Sequence, residues 1–395
     1  MSKKIQAILV IYPPVEWGGL FQRPHHLATR LARYFYRLFY VQPAGLRNPC
    51  ISDTKRLLHL FVKRHKDGRT KAQADSGLKV KFLPFLPIHT ISMFEILNAY
   101  LLDWFLKGIK ERYHLPVIFM ACAPAPFLKR TRLFEANDIP FVFDWMDDYR
   151  LFYHLPEAVS SMQNLLARRA DLVLVSSRAL GKMAAREGAR RISFVPNGVE
   201  TAHWDASPHG PPPWKGKGNR PVVGYFGTIS HWMDVEVIVD VATKRPKWLF
   251  VFIGPRADRG RFDRVFELEN CLYIPQMDYH KLPATASHFD VCWMPFLANE
   301  QTKAINPVKV YEYLALGKPV VCSAFPDLID LSDVVHLVED RNGWGPFLEQ
   351  AFLEVEDKSL EAKRRKVAKR YDWDRISKEA LGSLTELVAD MEVMS

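Results

Sequence analysis

Residues 305–321 read INPVKVYEYLALGKPVV, a turn, an amphipathic helix and an apolar strand in succession. This pattern predicts that Asn306 caps the helix, that Pro307 takes its first position and that Gly317 takes the left-handed conformation after its end. The first backbone amides of the helix, with the ammonium group of Lys309, would bind phosphate. Turn, helix and buried strand in this order predict an α/β fold.

A second polar side chain lies near the start of the same helix. Glu312 follows Lys309 by about one turn on the same face, with Val310 between them in the segment that we expect to face a ligand. A carboxylate there can accept hydrogen bonds from a sugar diol. A phosphate site beside a diol site predicts a nucleotide-sugar as the ligand.

Length and composition favour an ordinary globular protein of two domains. The chain has 395 residues, which is too long for one compact core, and is 48% hydrophobic and 25% charged. This composition excludes a disordered chain. The formal net charge of +10 favours acidic partners, namely nucleotide phosphates, nucleic acid or an anionic membrane surface.

The cysteines and the apolar runs indicate the compartment. Five cysteines occur without a C-x-x-C pair, which predicts a reducing compartment and no cysteine-based metal site. The apolar run at 8–12 is short and ends at Pro13, so we interpret it as a buried strand and not as a signal peptide. Residues 82–106 are interrupted by prolines and charges and do not predict a membrane span. We expect a cytoplasmic protein, with peripheral contact at the inner face of the cell membrane left open.

Short β-rich runs alternate with amphipathic stretches, which predicts parallel sheets covered by helices. The first half has predicted strands at Ile5–Tyr12, Leu38–Val41, Val80–Phe82, Val117–Ala121, Phe141–Phe143, Leu172–Ser176 and Ile192–Val195. The Pro- and Gly-rich segment 209–218 predicts a linker or loop near a domain boundary. The alternation then resumes at Val222–Phe226, Leu249–Ile253, Leu272–Ile274, Val291–Met294 and Val320–Ser323. Two doubly wound domains follow in series.

In such domains ligands bind beyond the carboxyl ends of strands, so the loops after the strands are the first candidates for a site. After the first strand, Gly18 and Gly19 permit close approach of a ligand, and Arg23 stands at a helix start that can bind an anion. We assign these three residues to an acceptor or diphosphate loop. His25 is a candidate acid or base, with capping or packing as the alternative.

Three carboxylates follow the strand at 141–143. A carboxylate in this place can deprotonate a hydroxyl, which makes Asp144 and Asp147 candidate catalytic residues. The alternative is a helix cap with solvated acids. If Asp147 and Asp148 share a buried site, their repulsion raises the pKa of one of them.

Two loops of the second half carry candidate phosphate ligands. Gly227 follows a buried strand, with the hydroxyl groups of Thr228 and Ser230 nearby, and Arg256 follows the next strand. The chain has neither the dinucleotide G-x-G-x-x-G nor the Walker G-x-x-x-x-G-K-[ST] pattern, which disfavours dehydrogenases and P-loop NTPases. It also lacks H-E-x-x-H and G-x-S-x-G, so zinc peptidases and serine hydrolases have no support.

Over nearly its whole length the chain resembles the GT-B glycosyltransferases, in particular the GT4-like group of bacterial surface-polysaccharide enzymes. The resemblance rests on the Gly18-Gly19 loop, QRPHHLA at 22–28, DWMDD at 144–148, VPNGV at 195–199, GYFGTI at 224–229 and the 305–321 segment. The block from Glu312 to Gly317, followed by KPVV at 318–321, is its most specific element.

The resemblance implies two Rossmann-like doubly wound domains facing across a cleft. Residues 1–203 would bind the acceptor, residues 204–372 would bind the nucleotide-sugar, and residues 373–395 would form a helix that crosses back. It further implies that Glu312 binds the ribose and that Lys309, the helix start and Arg256 stabilise the leaving diphosphate. Neither a metal nor a cofactor is expected, and the substrate would be a UDP- or GDP-linked sugar.

Two positions depart from the pattern of that group. Ala304 stands where a second glutamate often holds the donor sugar, so Asn306 or Glu300 would substitute for it. The frequent Arg and Lys pair after the first strand of the second domain is replaced by the residues at 229–232. Diphosphate binding then depends more on Lys309 and Arg256.

The sequence therefore predicts a metal-independent glycosyltransferase that transfers a sugar to a glycan or lipid-linked acceptor in polysaccharide or cell-envelope biosynthesis, without a nucleic-acid partner. Two alternatives stay open. One is a nucleotide-sugar epimerase of the same fold, and the other is a non-catalytic basic adaptor that binds nucleic acid or anionic lipid. The amphipathic stretch 93–113 could touch a membrane or pack in the core. The basic cluster at 363–370 could be a solvated helix face or an anionic contact.

Overall fold

The computed structural model describes residues 4–18, 21–48, 77–135, 139–152, 155–205, 211–214, 220–257 and 259–394. They form two compact units. The first comprises the described residues up to Pro196 together with those from Ile376 onward, and the second is Asn197–Arg375. The sequence placed these boundaries at 203/204 and 372/373. The first boundary lies before the predicted one, after Pro196, because Val199 and Trp204 pack into the core of the second unit.

The first unit contains a seven-stranded parallel sheet. Its strands are β1 (Ile5–Tyr12), β2 (Phe35–Val41), β3 (Leu78–Lys81), β4 (Val117–Ala121), β5 (Phe141–Trp145), β6 (Leu172–Val175) and β7 (Ile192–Phe194). Their order is β3-β2-β1-β4-β5-β6-β7. The helices are α1 (Arg23–Leu31), α2 (Ser92–Tyr113), α3 (Glu157–Ser160), α4 (Met162–Arg169) and α5 (Arg178–Arg186).

The second unit contains a six-stranded parallel sheet in the order β10-β9-β8-β11-β12-β13. Its strands are β8 (Val222–Phe226), β9 (Leu249–Ile253), β10 (Cys271–Ile274), β11 (Val291–Met294), β12 (Val320–Ser323) and β13 (His336–Val338). Its helices are α6 (Thr201–Trp204), α7 (Val235–Lys244), α8 (Arg259–Phe266), α9 (Leu282–Ala286), α10 (Glu300–Ala304), α11 (Val308–Ala315), α12 (Trp344–Leu353) and α13 (Lys358–Arg370).

The last helix, α14 (Trp373–Met394), begins in the second unit. Its residues from Ile376 onward belong to the first unit. There Ser383 Oγ lies 2.8 Å from Ser193 Oγ, and Arg191 forms an ion pair with Asp390 at 2.7 Å. The end of the chain thus packs beside β7 of the first unit.

All the strands that the sequence predicts are present, with ends shifted by at most three residues. Parallel strands are buried on both faces and are therefore continuous apolar runs, which makes them easy to recognise in a sequence. The short strand β13 was not predicted. Of the predicted linker, only residues 211–214 lie in the described part, and Trp214 there is buried and stacked on Phe289 at 5.8 Å.

The strand order determines where a ligand can bind. In each sheet the order reverses beside a central strand, β1 in the first unit and β8 in the second. The loops beyond the carboxyl ends of strands at such a reversal diverge and leave a crevice. The loops after β1, β8 and β9 carry several of the residues that the sequence singled out.

Helix α11 ends as predicted at a left-handed glycine. Gly317 has φ of 79°, and its N–H donates to the carbonyl oxygen of Leu314 at 3.0 Å. The next amide, that of Lys318, donates to Tyr313 O at 3.2 Å. This pair of bonds is a Schellman motif, and the predicted role of Gly317 is confirmed.

The carbonyl end of α11 also receives two arginines of α13. Arg365 donates to Ala315 O at 2.9 Å and to Leu316 O at 3.0 Å, and Arg364 donates to Gly317 O at 3.5 Å. These contacts explain part of the basic cluster at 363–370, for which the sequence left a solvated face or an anionic ligand open. Two of its members instead stabilise the end of a helix.

Candidate functional site

Lys309 and Glu312 form the centre of the candidate site in the second unit. Lys309 Nζ lies 2.7 Å from Glu312 Oε2, and the exposed fractions of the two side chains are 31% and 7%. Burial raises the pKa of Glu312, the charge of Lys309 lowers it, and the charge of Glu200 raises it. The buried carboxylate of Glu312 therefore holds the partly exposed ammonium group of Lys309 in place.

An aromatic ring also holds the ammonium group of Lys309. Nζ lies 5.0 Å from the centroid of the Phe226 ring, a cation–π contact. Trp204 stacks on the same Phe226 ring, with centroids 4.8 Å apart and an interplanar angle of 7°. A carboxylate and a ring face thus fix the position of a cation at the first turn of α11.

Two glycines bring the loops after β8 and β9 close to this cation. Gly227 and Gly254 have φ of 142° and 144°. A Cβ atom on Gly227 would lie 2.9 Å from Tyr225 Oη and 3.4 Å from Lys309 Cε, and one on Gly254 would overlap the carbonyl oxygen of Gly227. Only glycine fits either position without strain. Without a side chain at Gly227, the backbone of that loop lies next to Lys309.

Gly254→Ala is expected to lower the free energy of unfolding by about 2 to 4 kcal/mol, because it combines a left-handed φ with a backbone overlap. Urea unfolding measures this. Gly260→Ala is the matched control, since its added Cβ meets no atom within 4 Å, and it is expected to be neutral or to stabilise α8 by up to about 1 kcal/mol. Equal unfolding midpoints for the two variants would contradict the close contact between the loops.

Glu200 is a residue of this site that the sequence missed. Its charge acts on both Glu312 and Tyr279, raising the pKa of each above its ordinary value in addition to the effect of burial. Beside it, His203 stacks on Tyr279 with ring centroids 4.1 Å apart. The VPNGV turn before Glu200 gave only a structural signal, and an acid after a turn has no distinguishing pattern.

The other predicted ligands in the loop after β8 are held by local contacts. Thr228 accepts a hydrogen bond at its carbonyl oxygen from Tyr225 Oη at 3.0 Å. Ser230 is buried, with Oγ 3.2 Å from His231 Nδ1. These contacts shape the loop, and phosphate binding by Thr228 and Ser230 stays a prediction.

Arg256 is engaged within its own unit. Its guanidinium pairs with Asp263 at 2.5 Å and lies over the rings of Phe266 and Tyr273, at 4.9 and 5.5 Å from their centroids. This arrangement connects the loop after β9 to the second half of α8 and to β10. Phosphate binding by Arg256 requires these contacts to be exchanged, and it stays a prediction.

The predicted cap at Asn306 is wrong. Pro307 occupies the N-cap position of α11, and no side chain caps the helix. Asn306 is buried and accepts from Asn197 N–H at 3.1 Å, while its amide donates to Tyr311 Oη at 3.0 Å and to Asp327 Oδ2 at 2.9 Å. Its polar atoms are used by the fold, because the buried turn needs partners for Asn197 and Asp327.

Val310 does not face a ligand, contrary to its inclusion in the predicted donor site. Its side chain is fully buried in the core of the second unit, and its N–H donates to Pro307 O at 3.2 Å. Pro307 has no N–H to offer. The amides of Val308 and Lys309, which begin the helix, have no carbonyl partner one turn earlier and are the groups that can meet an anion.

In the first unit, Arg23 and Asp144 form a buried ion pair. Arg23 Nε lies 3.1 Å from both carboxylate oxygens of Asp144, and Nη2 lies 2.7 Å from Oδ1. Nη1 donates to Pro196 O at 2.9 Å, and the two residues are 5% and 0% exposed. Asp144 is therefore a positioning residue rather than an accessible base, and Arg23 is committed to it rather than presented to solvent.

Asp147 is the carboxyl group of this cluster that remains available. It is partly exposed, and burial raises its pKa to about 7, with the charge of Arg23 opposing and those of Asp144 and Asp148 adding to the rise. A carboxyl group with this pKa can accept or donate a proton near neutral pH. The pKa of Asp147 is raised in the direction expected for crowded acids, but burial is the main cause and the charge of Asp148 contributes least.

Asp148 shows the opposite behaviour. It pairs with Arg150 at 2.7 Å and accepts from Gln163 at 2.8 Å. Burial alone would raise its pKa, but these hydrogen bonds hold the pKa below its ordinary value. Asp148 also accepts from the amide of Arg150, so it caps the short 3₁₀ turn Tyr149–Leu151.

His25 has a structural role, and the catalytic role predicted for it has no support. The residue is fully buried. Nδ1 accepts from Gln22 N–H at 3.0 Å, so Nε2 donates to Glu16 O at 3.0 Å. Burial lowers the pKa of His25, which keeps the imidazole neutral. It closes the start of α1, the alternative that the sequence left open.

The loop before α1 is partly described. Gly18 has φ of 97°, a left-handed conformation that favours glycine, and Gly19 lies outside the described residues. The rings of Trp17 and Phe21 contact the imidazole of His25 at 5.3 and 5.0 Å. The loop is anchored by these rings, and its contact with an acceptor or a diphosphate stays a prediction.

The described residues contain no group of three or more His, Cys, Asp or Glu side chains placed to hold a metal ion. The absence of a metal from the reaction stays a prediction. The structure brings together Lys309, Glu312 and Gly227 in the second unit and Arg23, Asp144 and Asp147 in the first.

Two units, each with a parallel sheet that reverses its order at a central strand, define the GT-B fold of glycosyltransferases. Sucrose-phosphate synthase from Thermosynechococcus elongatus matches 98% of this chain and 100% of its own, with a TM-score of 0.71 and 14% identity. HepE of Anabaena in complex with UDP-glucose matches 96% and 99%, with a TM-score of 0.62 and 16% identity. At these identities the likeness shows the fold.

Among curated protein sequences, TuaH of Bacillus subtilis (strain 168) is 27% identical over 229 residues. Its description as a teichuronic acid biosynthesis glycosyltransferase is itself provisional. The match spans 55% of this chain and 57% of TuaH. No protein-family profile matches the chain.

Proposed function

We propose that the protein is a glycosyltransferase that moves a sugar from a nucleoside diphosphate donor to a glycan or lipid-linked acceptor in polysaccharide or cell-envelope biosynthesis. The observation that carries this proposal is the Lys309–Glu312 pair near the start of α11, next to the partly buried Gly227. Support comes from the description of TuaH and from the structures of HepE with UDP and UDP-glucose.

The second unit would bind the donor. Lys309 and the first amides of α11 would hold the diphosphate and neutralise the charge that develops on it as it leaves. Glu312 would accept hydrogen bonds from the ribose hydroxyls, as its place one turn further on the helix allows. The donor would be UDP- or GDP-linked, and the enzyme would belong to the GT4-like group.

The first unit would activate the acceptor. Asp147 would take the proton of the acceptor hydroxyl while that oxygen forms a bond to the anomeric carbon of the sugar. The bond from the anomeric carbon to the diphosphate oxygen breaks, and the diphosphate leaves with the electron pair. The Arg23–Asp144 pair would position the segment that carries Asp147.

If Asp147 is the base, kcat/KM is expected to rise as pH increases through about 7 and to level off above it, because the carboxylate form must be present. Asp147→Asn is expected to lower kcat by about 100-fold or more and to remove this dependence. The measurement is a pH profile of nucleoside diphosphate release between pH 5.5 and 9. A variant that keeps the profile of the unchanged protein would rule Asp147 out as the base.

The same carboxyl group gives a readout that does not need the acceptor. In the folded protein the pKa of Asp147 is about 7, above the ordinary value of 3.8, so folding favours the protonated carboxyl group. The stability that this group contributes is complete below about pH 4 and is lost as pH rises through 7. Because the side chain keeps some solvent contact, about 1 to 3 kcal/mol is expected to be lost. Asp147→Asn should lack this loss in urea unfolding at pH 4.5 and pH 8.

The proposed function as a whole is tested with a panel of UDP- and GDP-sugars. Donor binding is expected to raise the melting temperature, and release of the nucleoside diphosphate is expected only when a glycan or lipid-linked acceptor is added. Isomerised donor without acceptor would indicate an epimerase. DNA binding without nucleotide binding would indicate a basic adaptor. The comparisons support neither alternative.

A further inference from the structure

Helix α2 of the first unit carries an apolar stripe on its solvent side. The stripe consists of Met93, Ile96, Leu97, Tyr100 and Trp104, which are 64%, 56%, 42%, 66% and 63% exposed. The spacing of three and four residues places them on one face over about 17 Å of helix. Large contiguous apolar patches on a surface usually mark a place of interaction.

The opposite face of α2 is fixed to the first unit. Ala99, Leu102, Leu106 and Ile109 are buried in its core. Asn98 is also buried, and its side chain accepts from Leu86 N–H at 2.9 Å and donates to Leu86 O at 2.8 Å. The sequence offered core packing or membrane contact for this stretch. The structure has core packing on one face and leaves the α2 stripe on the other.

The two acidic side chains of α2 between Met93 and Trp104 both have partners elsewhere in the first unit. Glu95 is buried and bound by Lys129 at 3.0 Å and by Arg130 at 3.5 Å. Arg130 also donates to Ser92 Oγ at 3.2 Å, which places its half-exposed guanidinium at the start of α2. Asp103 is half-buried and accepts from the amide of Arg132.

The other end of the stripe is basic. Lys107, Lys110 and Arg112 lie on the exposed side of the last two turns, and Glu111 is the acid among them, 3.8 Å from Lys107. The apolar stripe thus lies between cationic groups at both ends of the helix. The surface around it complements an anionic partner.

We propose that the α2 stripe binds the surface of an anionic lipid bilayer. Tyr100 and Trp104 have the amphipathic rings that favour the depth of the lipid headgroups, and Met93, Ile96 and Leu97 extend the same apolar face. Lysine and arginine at both ends meet anionic headgroups. Along the described residues no helix is long and apolar enough to cross a membrane, so this contact lies at the surface. The inference does not rest on glycosyl transfer.

Vesicle flotation with the full chain tests the stripe. The protein is expected to float with vesicles of phosphatidylcholine containing about 30% phosphatidylglycerol and much less with phosphatidylcholine alone. Replacing both rings, Tyr100→Glu with Trp104→Glu, is expected to lower the bound fraction about tenfold or more, because it places charges in the apolar face. Circular dichroism checks that the variant is folded, as expected for exposed positions.

Leu353→Glu is the matched control, since Leu353 is an 85% exposed apolar residue of α12 in the second unit. It should float like the unchanged protein. Equal flotation of the double variant and the control would overturn the proposal. So would an unchanged protein that binds neither kind of vesicle but dimerises through the stripe, which light scattering would show as a dimer that the double variant does not form.

Discussion

Lys309→Ala is expected to weaken the binding of UDP about 10- to 100-fold, corresponding to about 1.5 to 3 kcal/mol for the loss of a charge-assisted contact. Lys309 is the cation that Glu312 and the Phe226 ring hold at the first turn of α11. Its removal also leaves the carboxyl group of Glu312 buried without its partner, so the pKa of Glu312 should rise further. Isothermal titration calorimetry at pH 7 measures the change.

The control for this result is Lys303→Ala. Lys303 is a lysine of the same unit, 58% exposed and paired with Glu300 at 2.8 Å, and its loss should leave the affinity within about twofold. Glu312→Gln separates the two roles, because it keeps the shape of the side chain and removes its charge. If Lys309→Ala and Lys303→Ala bind UDP equally well, the nucleotide does not bind at α11 and the proposed donor site is wrong.

The largest expected effect on stability concerns the Arg23–Asp144 pair. Arg23→Ala and Asp144→Ala are each expected to lower the free energy of unfolding by about 3 to 5 kcal/mol, because each leaves a buried charge without its partner. The pair is bidentate and almost completely buried, so water cannot replace the lost contact. Guanidinium chloride unfolding monitored by tryptophan fluorescence gives the values.

A double-mutant cycle isolates the pairwise energy. The variant with both alanines should lose much less than the sum of the single losses, since neither charge remains unpaired. Arg190→Ala is the control, because Arg190 and Asp171 form an ion pair at the surface, with side chains 69% and 37% exposed. This variant should change the free energy of unfolding by less than about 1 kcal/mol. Additive losses at Arg23 and Asp144 would contradict a coupled buried pair.

The sequence predicted the elements with the strongest local signals. Most strands are buried apolar runs of four to eight residues, and the predicted strands were located within three residues of their ends. Gly317 was assigned correctly because the end of a helix favours glycine in one conformation. The helical spacing of Lys309 and Glu312 also placed both groups on one face, as found.

The errors concern side chains with partners far away in the chain. Arg23 and Asp144 are 121 residues apart, so the sequence could not show that a predicted anion ligand and a predicted base neutralise each other. Asn306 has the residue type of a cap, but its partners lie at Asn197 and Asp327. Gly254 was not singled out, because its requirement for glycine arises from the backbone of Gly227 in another loop.

The two arginines at the carbonyl end of α11 have a consequence for the rigidity of that helix. Each binds carbonyl groups at the end of α11 and also pairs with carboxylates, Arg364 with Glu354 and Arg365 with Asp205 and Glu361. Their charges are therefore neutralised where they lie, and their effect is to hold the last turn of the helix against α13. The ends of helices ordinarily fray. The amide hydrogens in the last turn of α11 should instead exchange slowly with solvent, which hydrogen exchange would measure.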